Sequence, residues 1–373
     1  MTVAVMQRRS IKGPPPPRGC PTVASVVHRS FRRRRRHSEA EESANQTRTM
    51  VLLSSEGVPV PAAKDQHQQK QRIEINPHGD SLYVVGVPCG EGARSCAERF
   101  DASTREWHGL SAPRTTRRWA GICALGGSLY CVGGFDGIAH LNTVDRYEAA
   151  SDSWLSDVAP ISGPRAHVAV TSHEGLLYAA GGDDGTSCLS VAERFDPREG
   201  RWSRLPSLPT RRCRAALASL GGFVYAVGGT DRTTPLRTVE RYDPPANAWL
   251  PGPALLTARR SLGLVAHAGE LVAAGGGDEP LLPALSSSER LAPQAHAWTP
   301  GPPMCSRRRG LGLAVVNGQI IAIGGYDGTT HLQTAEHLDP EANIWRQFGG
   351  LNHQHDSFGV GVLISNSNGP YQL

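Results

Sequence analysis

The chain has no apolar stretch approaching the ~20 residues that a membrane-spanning helix requires. Its opening residues, MTVAVMQRRSIKGPPPP, break into charge and proline at once and carry no apolar block of the secretory type. No Cys-x-x-Cys spacing occurs among the eight cysteines (Cys20, Cys89, Cys96, Cys123, Cys131, Cys188, Cys213 and Cys305), and several sit in apolar runs such as LYCVGG. Small buried thiols in a reducing compartment, the cytoplasm or the nucleus, are the expectation. There is no Gly-x-Ser-x-Gly, no phosphate-binding loop and no paired-carboxylate constellation. The 14 histidines lie mostly in the N-terminal region, in turns or near the C-terminus, without metal-ligand spacing. His353 and His355 form at most a weak metal pair, for which a loop before a closing strand is the plainer home. The expectations are no enzymatic activity, no cofactor, no metal and no membrane.

What is abundant is glycine (42) and proline (28), together about a fifth of the chain. That balance favours many short strands with tight turns over long helices. The net charge of +5 is unevenly placed: residues 1–50 hold 11 Lys and Arg against 3 Asp and Glu, leaving the remainder at −3. Residues 1–76 contain GPPPPRG, FRRRRRHSEAEES and KDQHQQKQR, with few aromatics and no apolar period. Such a segment cannot bury enough surface to offset its ordering entropy, so a disordered tail is expected there. Its Arg32–Arg36 run fits either a solvated basic tail or a nuclear-localisation or nucleic-acid patch. Binding to nucleic acid is not the expected role.

From about Ser81 the texture becomes periodic. Trp107, Trp154, Trp202, Trp249, Trp298 and Trp345 follow one another at steps of 47, 48, 47, 49 and 47 residues. Nine residues before each stands an acid (Glu98, Asp145, Glu193, Glu240, Glu289, Glu336), followed by Arg in five cases and by His337 in the last. Gly pairs recur at Gly133-Gly134, Gly181-Gly182, Gly228-Gly229, Gly275-Gly276 and Gly324-Gly325, with Gly86-Val87 a degenerate first copy. Only Trp119 is out of register. Within one unit AGICAL, SLYCVGG, NTVDRY and DSWLSDV give four short strands divided by turn residues. A lone sheet of this kind has two apolar faces, and packing six around an axis buries both. The predicted fold is therefore all-β, a six-bladed propeller over residues 77–366, with a short tail at 367–373. The first unit starts at SLYVVG and lacks its leading strand; DSFGVGVLIS, Asp356 to Ser365, looks like the missing piece, so the C-terminus is expected to close the ring.

The series GGFDG…LNTVDRY…W and GGYDG…LQTAEHLDPEANIW resembles the kelch repeat over about residues 81–365. The count of six and the 47-residue period are most similar to the kelch-like proteins, which are usually substrate receptors of cullin-RING ubiquitin ligases. In that family a BTB and a BACK domain precede the propeller; the residues before Ser81 resemble neither and are too few for both. The resemblance implies a protein-interaction module, the substrate-recognition part of such a ligase adaptor. A cullin-RING partner is expected only where a BTB-containing form or partner supplies it. The alternative is an actin-binding or cytoskeletal kelch scaffold. It also implies that partners bind on the face ringed by the loops after the Gly pairs. Galactose oxidase shares this architecture, but its copper site needs His and Tyr converging from different blades.

Sixteen residues before the first Gly of each intact pair lies an arginine: Arg117, Arg165, Arg212, Arg259 and Arg308. Two roles fit. Guanidinium forks at a channel mouth suit carboxylates of an acidic peptide. Alternatively the arginines pair internally, with the loop acids Asp136, Asp184, Asp231, Asp278 and Asp327 neutralising them. The residues after each pair (Phe135, Asp183, Thr230, Gly277 and Tyr326) are expected on the same partner-binding face, with Phe135 and Tyr326 as aromatic anchors.

Overall fold

Each repeat forms a four-stranded antiparallel sheet, because its apolar runs are strand-length and Gly, Pro and Asp turns separate them. The computed structural model describes residues 79–364 except 91–93, 102–103, 105 and 278–282. The expected tail over 1–76 with its Arg32–Arg36 run, and residues 367–373, lie outside the described residues. Blade 1 contains β1 (Ser81–Pro88), β2 (Cys96–Asp101) and β3 (Glu106–Leu110). Blade 2 is β4 (Gly121–Leu125), β5 (Ser128–Val132), β6 (Val144–Glu148) and β7 (Ser153–Val158). Blade 3 is β8 (Ala169–His173), β9 (Leu176–Ala180), β10 (Ala192–Asp196) and β11 (Arg201–Arg204). Blade 4 is β12 (Ala216–Leu220), β13 (Phe223–Val227), β14 (Val239–Asp243) and β15 (Ala248–Gly252). Blade 5 is β16 (Gly263–His267), β17 (Glu270–Ala274), β18 (Ser288–Leu291) and β19 (Thr299–Gly301). Blade 6 is β20 (Gly312–Val316), β21 (Gln319–Ile323), β22 (Thr334–Asp339) and β23 (Ile344–Gly350).

In these five blades the sheet order follows the chain, whereas blade 1 reads β24-β1-β2-β3, where β24 is His355–Leu363. β24 pairs antiparallel with β1, Val84 facing Val360, so the end of the propeller supplies the innermost strand of its beginning. This is the six-bladed all-β propeller with C-terminal closure expected from the repeat. The buried apolar residues fall into clusters seated at the blade junctions. One joins Tyr130 and Val132 of blade 2 to Leu177 and Phe195 of blade 3, and another joins Ile321 and Ile323 of blade 6 to Leu82 and Val84 of blade 1.

The repeated tryptophans act at these junctions too. Four rings pack on an aromatic of the neighbouring strand (Phe100–Trp107, Tyr147–Trp154, Phe195–Trp202 and Tyr242–Trp249, centroids 5.2–5.3 Å apart), while Trp298 and Trp345 share clusters with Leu291 and Leu338. Five indole N–H groups also donate to a carbonyl in the linker from the previous blade: Trp154 to Ser111, Trp202 to Ala159, Trp249 to Pro206, Trp298 to Pro253 and Trp345 to Pro302, at 2.8–3.0 Å.

The Gly pairs are required by both conformation and space. Gly181 (φ +65°) and Gly182 (φ +100°) occupy left-handed backbone, and the Gly182 amide donates to the Arg212 carbonyl of the next blade at 2.9 Å. A Cβ on Gly181 would collide with that same carbonyl. Gly181→Ala is therefore expected to cost more than the ~1–2 kcal/mol of left-handed strain alone. Gly200→Ala, at the same φ of +65° but with open space around it, should show only that strain. Thermal melts of the two variants check this; equal shifts would mean that the close approach contributes nothing.

Candidate functional site

The five recurrent arginines lie inside the blades, each at most 4% exposed. Nη1 of each donates to the carbonyl of the first Gly of its pair and to the carbonyl two residues before the blade acid, at 2.7–3.2 Å. Each guanidinium also pairs with the acid of its own blade: Arg117 with Asp145, Arg165 with Glu193, Arg212 with Glu240, Arg259 with Glu289 and Arg308 with Glu336. In four blades Nη2 donates as well to a hydroxyl, of Thr143, Thr238, Ser287 or Thr334. Four of these acids, Glu193, Glu240, Glu289 and Glu336, accept in addition from the incoming linker, as Glu336 does from the Cys305 and Ser306 amides at 2.6 and 3.0 Å. Burial pushes the Arg165, Arg212 and Arg259 guanidinium pKa values down, and the facing carboxylate opposes it. These arginines are thus the internal fastening of blades 2–6, not guanidinium forks presented to a ligand. The loop acids expected as their partners do something else: Asp136, Asp184, Asp231 and Asp327 accept from amides two and three residues ahead and cap their own loops. Asp278 lies outside the described residues.

Two residues after each buried arginine the chain reaches the mouth of the central channel. Trp119, His167, Arg214 and Ser261 stand there at φ 49–56°, and Gly310 at 63°. A belt of hydrogen bonds holds this backbone: the His167 amide donates to the Trp119 carbonyl (2.8 Å), Arg214 to His167 (3.3 Å), Ser261 to Arg214 (2.8 Å) and Gly310 to Ser261 (2.8 Å). Left-handed backbone at non-glycine residues costs about 1 kcal/mol or more each and marks candidate functional positions. These residues line a cavity of about 570 Å³.

The cavity has two chemically different sides. On one, Trp119 (37% exposed) stacks between Phe135 (6.0 Å) and His167 (4.8 Å). On the other stand Arg214, Arg260 and Arg309, with the Arg309 guanidinium 4.5 Å above the Tyr326 ring. Among the described lining residues there are three arginines and three histidines (His167, His331 and His355) but no Asp or Glu. Burial pushes the His167 imidazolium pKa down although Asp183 accepts from Nδ1 at 2.7 Å.

Of the residues expected on this face, Tyr326 and Gly277 line the cavity and Phe135 backs its Trp119 wall. Asp183 is engaged by His167 and His140, and Thr230 is buried with its hydroxyl donating to the Thr234 carbonyl. Trp119, His167, Arg214, Arg260 and Arg309 were not anticipated. The out-of-register Trp119 and the doublets Arg117-Arg118, Arg259-Arg260 and Arg308-Arg309 were the signals available.

The cysteines bring a further correction. Cys188 and Cys213 are not free thiols: they are disulfide-bonded between blades 3 and 4, with Cα atoms 5.3 Å apart. The ring sets that proximity, which their spacing along the chain does not disclose.

Blade 1 departs from the fastening used elsewhere. His355 occupies the place of the buried arginine, Cys96 that of the hydroxyl residue and Glu98 that of the acid. No metal was expected from sequence, yet the Cys96 sulfur, a Glu98 oxygen and a His355 nitrogen lie within 4.8 Å of one another. Burial pushes the Glu98 carboxyl up, but the His355 and His353 imidazoles beside it and the Asn352 amide outweigh that, so its pKa ends below the usual value. Burial, with Glu98 nearby, pushes the Cys96 thiol up to about 12.

Comparison with known proteins agrees with this architecture. The Kelch motif matches residues 117–156, 164–209, 211–256 and 307–352. Human Kelch-like protein 4 is 37% identical over 75 residues (20% of this chain, 10% of that protein). Human Kelch-like protein 5 is 47% identical over 49 residues (13% and 6%). Kelch-like protein 25 of Xenopus tropicalis is 30% identical over 97 residues (26% and 16%). The matched segments thus span no more than 16% of these relatives. The solved structure of YjhT, at 16% identity, superposes with a TM-score of 0.60, covering 68% of this chain and 91% of that one, which bears on the fold alone. With four matched Kelch motifs, an acid and a Trp in all six blades and the Gly pair in five of them, the chain is a propeller built of kelch repeats.

Proposed function

We propose that the channel mouth binds an acidic segment of a partner protein, and that the chain serves as the substrate-recognition part of a cullin-RING ubiquitin ligase adaptor. One observation carries the binding reading: Arg214, Arg260 and Arg309 from three successive blades line one cavity, beside the exposed aromatic anchor Trp119. Arginine suits bidentate carboxylate recognition, and an exposed Trp in a concave site is the residue type on which interface energy concentrates. The ligase context comes from the kelch-like resemblance; cullin recruitment would need a BTB domain in the same or a partner polypeptide.

The test is selection from a displayed random-peptide library on the full chain. Enriched peptides should be rich in Asp and Glu and weaken as salt rises. Arg260→Glu should weaken them at least tenfold, and Trp119→Ala about 30-fold, the equivalent of a 2 kcal/mol hot spot. Arg198→Glu, on an exposed turn outside the cavity, should leave affinity unchanged. Peptides without acidic enrichment, or equal binding by Arg260→Glu, would remove the reading.

A further inference from the structure

We propose that Cys96, Glu98 and His355 bind a divalent transition-metal ion, Zn²⁺ by their chemistry, which staples the closing strand to the first blade. The proposal stands independently of the peptide-binding reading. It rests on a comparison internal to the molecule. Blades 2, 4, 5 and 6 place at three equivalent positions a Thr or Ser, an acid and a buried Arg, all hydrogen-bonded together. In blade 1 the hydroxyl residue has become Cys96 and the Arg has become His355, while the acid is retained as Glu98. Both changes convert a hydrogen-bonding group into a metal-ligating one, and each falls on the one blade where the other does.

The replacement does not work as a hydrogen-bonded fastening. An arginine here reaches two carbonyls, a hydroxyl and the carboxylate, whereas the shorter imidazole reaches few of these. His355 is only 2% exposed, and its Nε2, 3.4 Å from Glu98 Oε1, has no hydrogen-bond partner. Its Nδ1 lies 3.9 Å from the Cys96 sulfur. A buried imidazole nitrogen held only by this loose ion-pair contact is costly, and an ion would satisfy it more fully. Glu98, 1% exposed, also draws in His353, whose Nδ1 is 2.8 Å from the same Oε1. His353 is half-exposed and holds the carboxylate from outside the three-donor cluster.

The donor set selects the ion. Sulfur, imidazole nitrogen and carboxylate together suit zinc, while calcium and magnesium take oxygen shells. Tetrahedral zinc with bonds of ~2.0–2.3 Å puts its ligand atoms roughly 3.3–3.8 Å apart, so the three donors need close in by only about 1 Å. His355 also lines the channel-mouth cavity, which supplies an entry path. On binding, the Cys96 thiol proton leaves to solvent as the sulfur–metal bond forms, releasing one proton per ion. Because Cys96 and His355 are 259 residues apart, the bond would close nearly the whole propeller into one loop.

The full chain, reduced and stripped with a chelator, should be titrated with Co²⁺ as a spectroscopic probe and then with Zn²⁺. The expected result is one equivalent with a thiolate-to-cobalt charge-transfer band, abolished by zinc, and a melting temperature about 5 °C higher at zinc a hundredfold above its Kd. Cys96→Ser, which copies Ser287 of blade 5, should remove the band and weaken zinc at least tenfold while the fold persists. The double change Cys96→Thr with His355→Arg rebuilds the arrangement of blades 4 and 6, and should fold and melt at the same temperature with or without zinc. Absence of the band in the wild-type chain, or its persistence in Cys96→Ser, would overturn the proposal.

Discussion

Arg308→Ala is expected to destabilise the propeller by about 3–5 kcal/mol, because it leaves the Glu336 carboxylate buried without its partner. Both side chains are wholly inaccessible, and Nη1 alone satisfies the Gly324 and Thr334 carbonyls at 2.8 Å. The truncation therefore orphans two carbonyls, a hydroxyl and a charge at once. For a domain of this size the melting temperature should fall by on the order of 10 °C. Arg308→Lys should recover only part of this, since one ammonium cannot reach the acceptors that a planar fork serves together. Removing both members, as Arg308→Met with Glu336→Leu, should be less harmful than Arg308→Ala alone, because no uncompensated charge remains. Melts of the four proteins decide it. A drop of less than about 2 °C for Arg308→Ala would mean that the guanidinium is dispensable and the carboxylate solvated.

This arrangement explains which parts of the molecule could be read from the sequence. Periodicity reports what the blades share, and the blades share their scaffold. The Gly pairs, the acids nine residues before each Trp and the five arginines recur because every blade must solve the same packing problem. The recurrence of Arg117, Arg165, Arg212, Arg259 and Arg308 was therefore a mark of internal fastening, although it suggested a binding ring as well. The cavity is built from positions where the blades differ: Trp119, His167, Arg214, Ser261 and Gly310 are equivalent in place and share no chemistry. No repeat signal can expose such a set, since its members are alike only in backbone conformation. Contacts created by ring closure were hidden for another reason. Cys188 meets Cys213 where the consecutive blades 3 and 4 pack, and Cys96 meets His355 where the last strand joins the first blade. Closure itself was legible, because DSFGVGVLIS matches the strand that the first unit lacks.

That closing strand sets the largest effect expected. Ending the chain after Gln354 should abolish cooperative unfolding. β24 covers β1 along the whole of Ser81–Pro88, and β1 is buried over nearly its whole length. Phe358, Val360 and Val362 pack onto the cluster that joins blade 6 to blade 1. Loss of each such side chain costs about 2–5 kcal/mol in a core, and together they rival the 5–15 kcal/mol that a native domain has in total. The loss also uncovers β1 as an apolar edge strand, which should drive concentration-dependent association. Differential scanning calorimetry of the shortened chain, with gel filtration at several concentrations, reads both effects. A synthetic peptide of residues 353–366 should restore a cooperative transition by pairing with β1, and the same peptide with Val360→Lys should fail, because that side chain faces the junction between blades 6 and 1. A shortened chain that melts cooperatively within a few degrees of the full one would show that five complete blades hold the ring without β24.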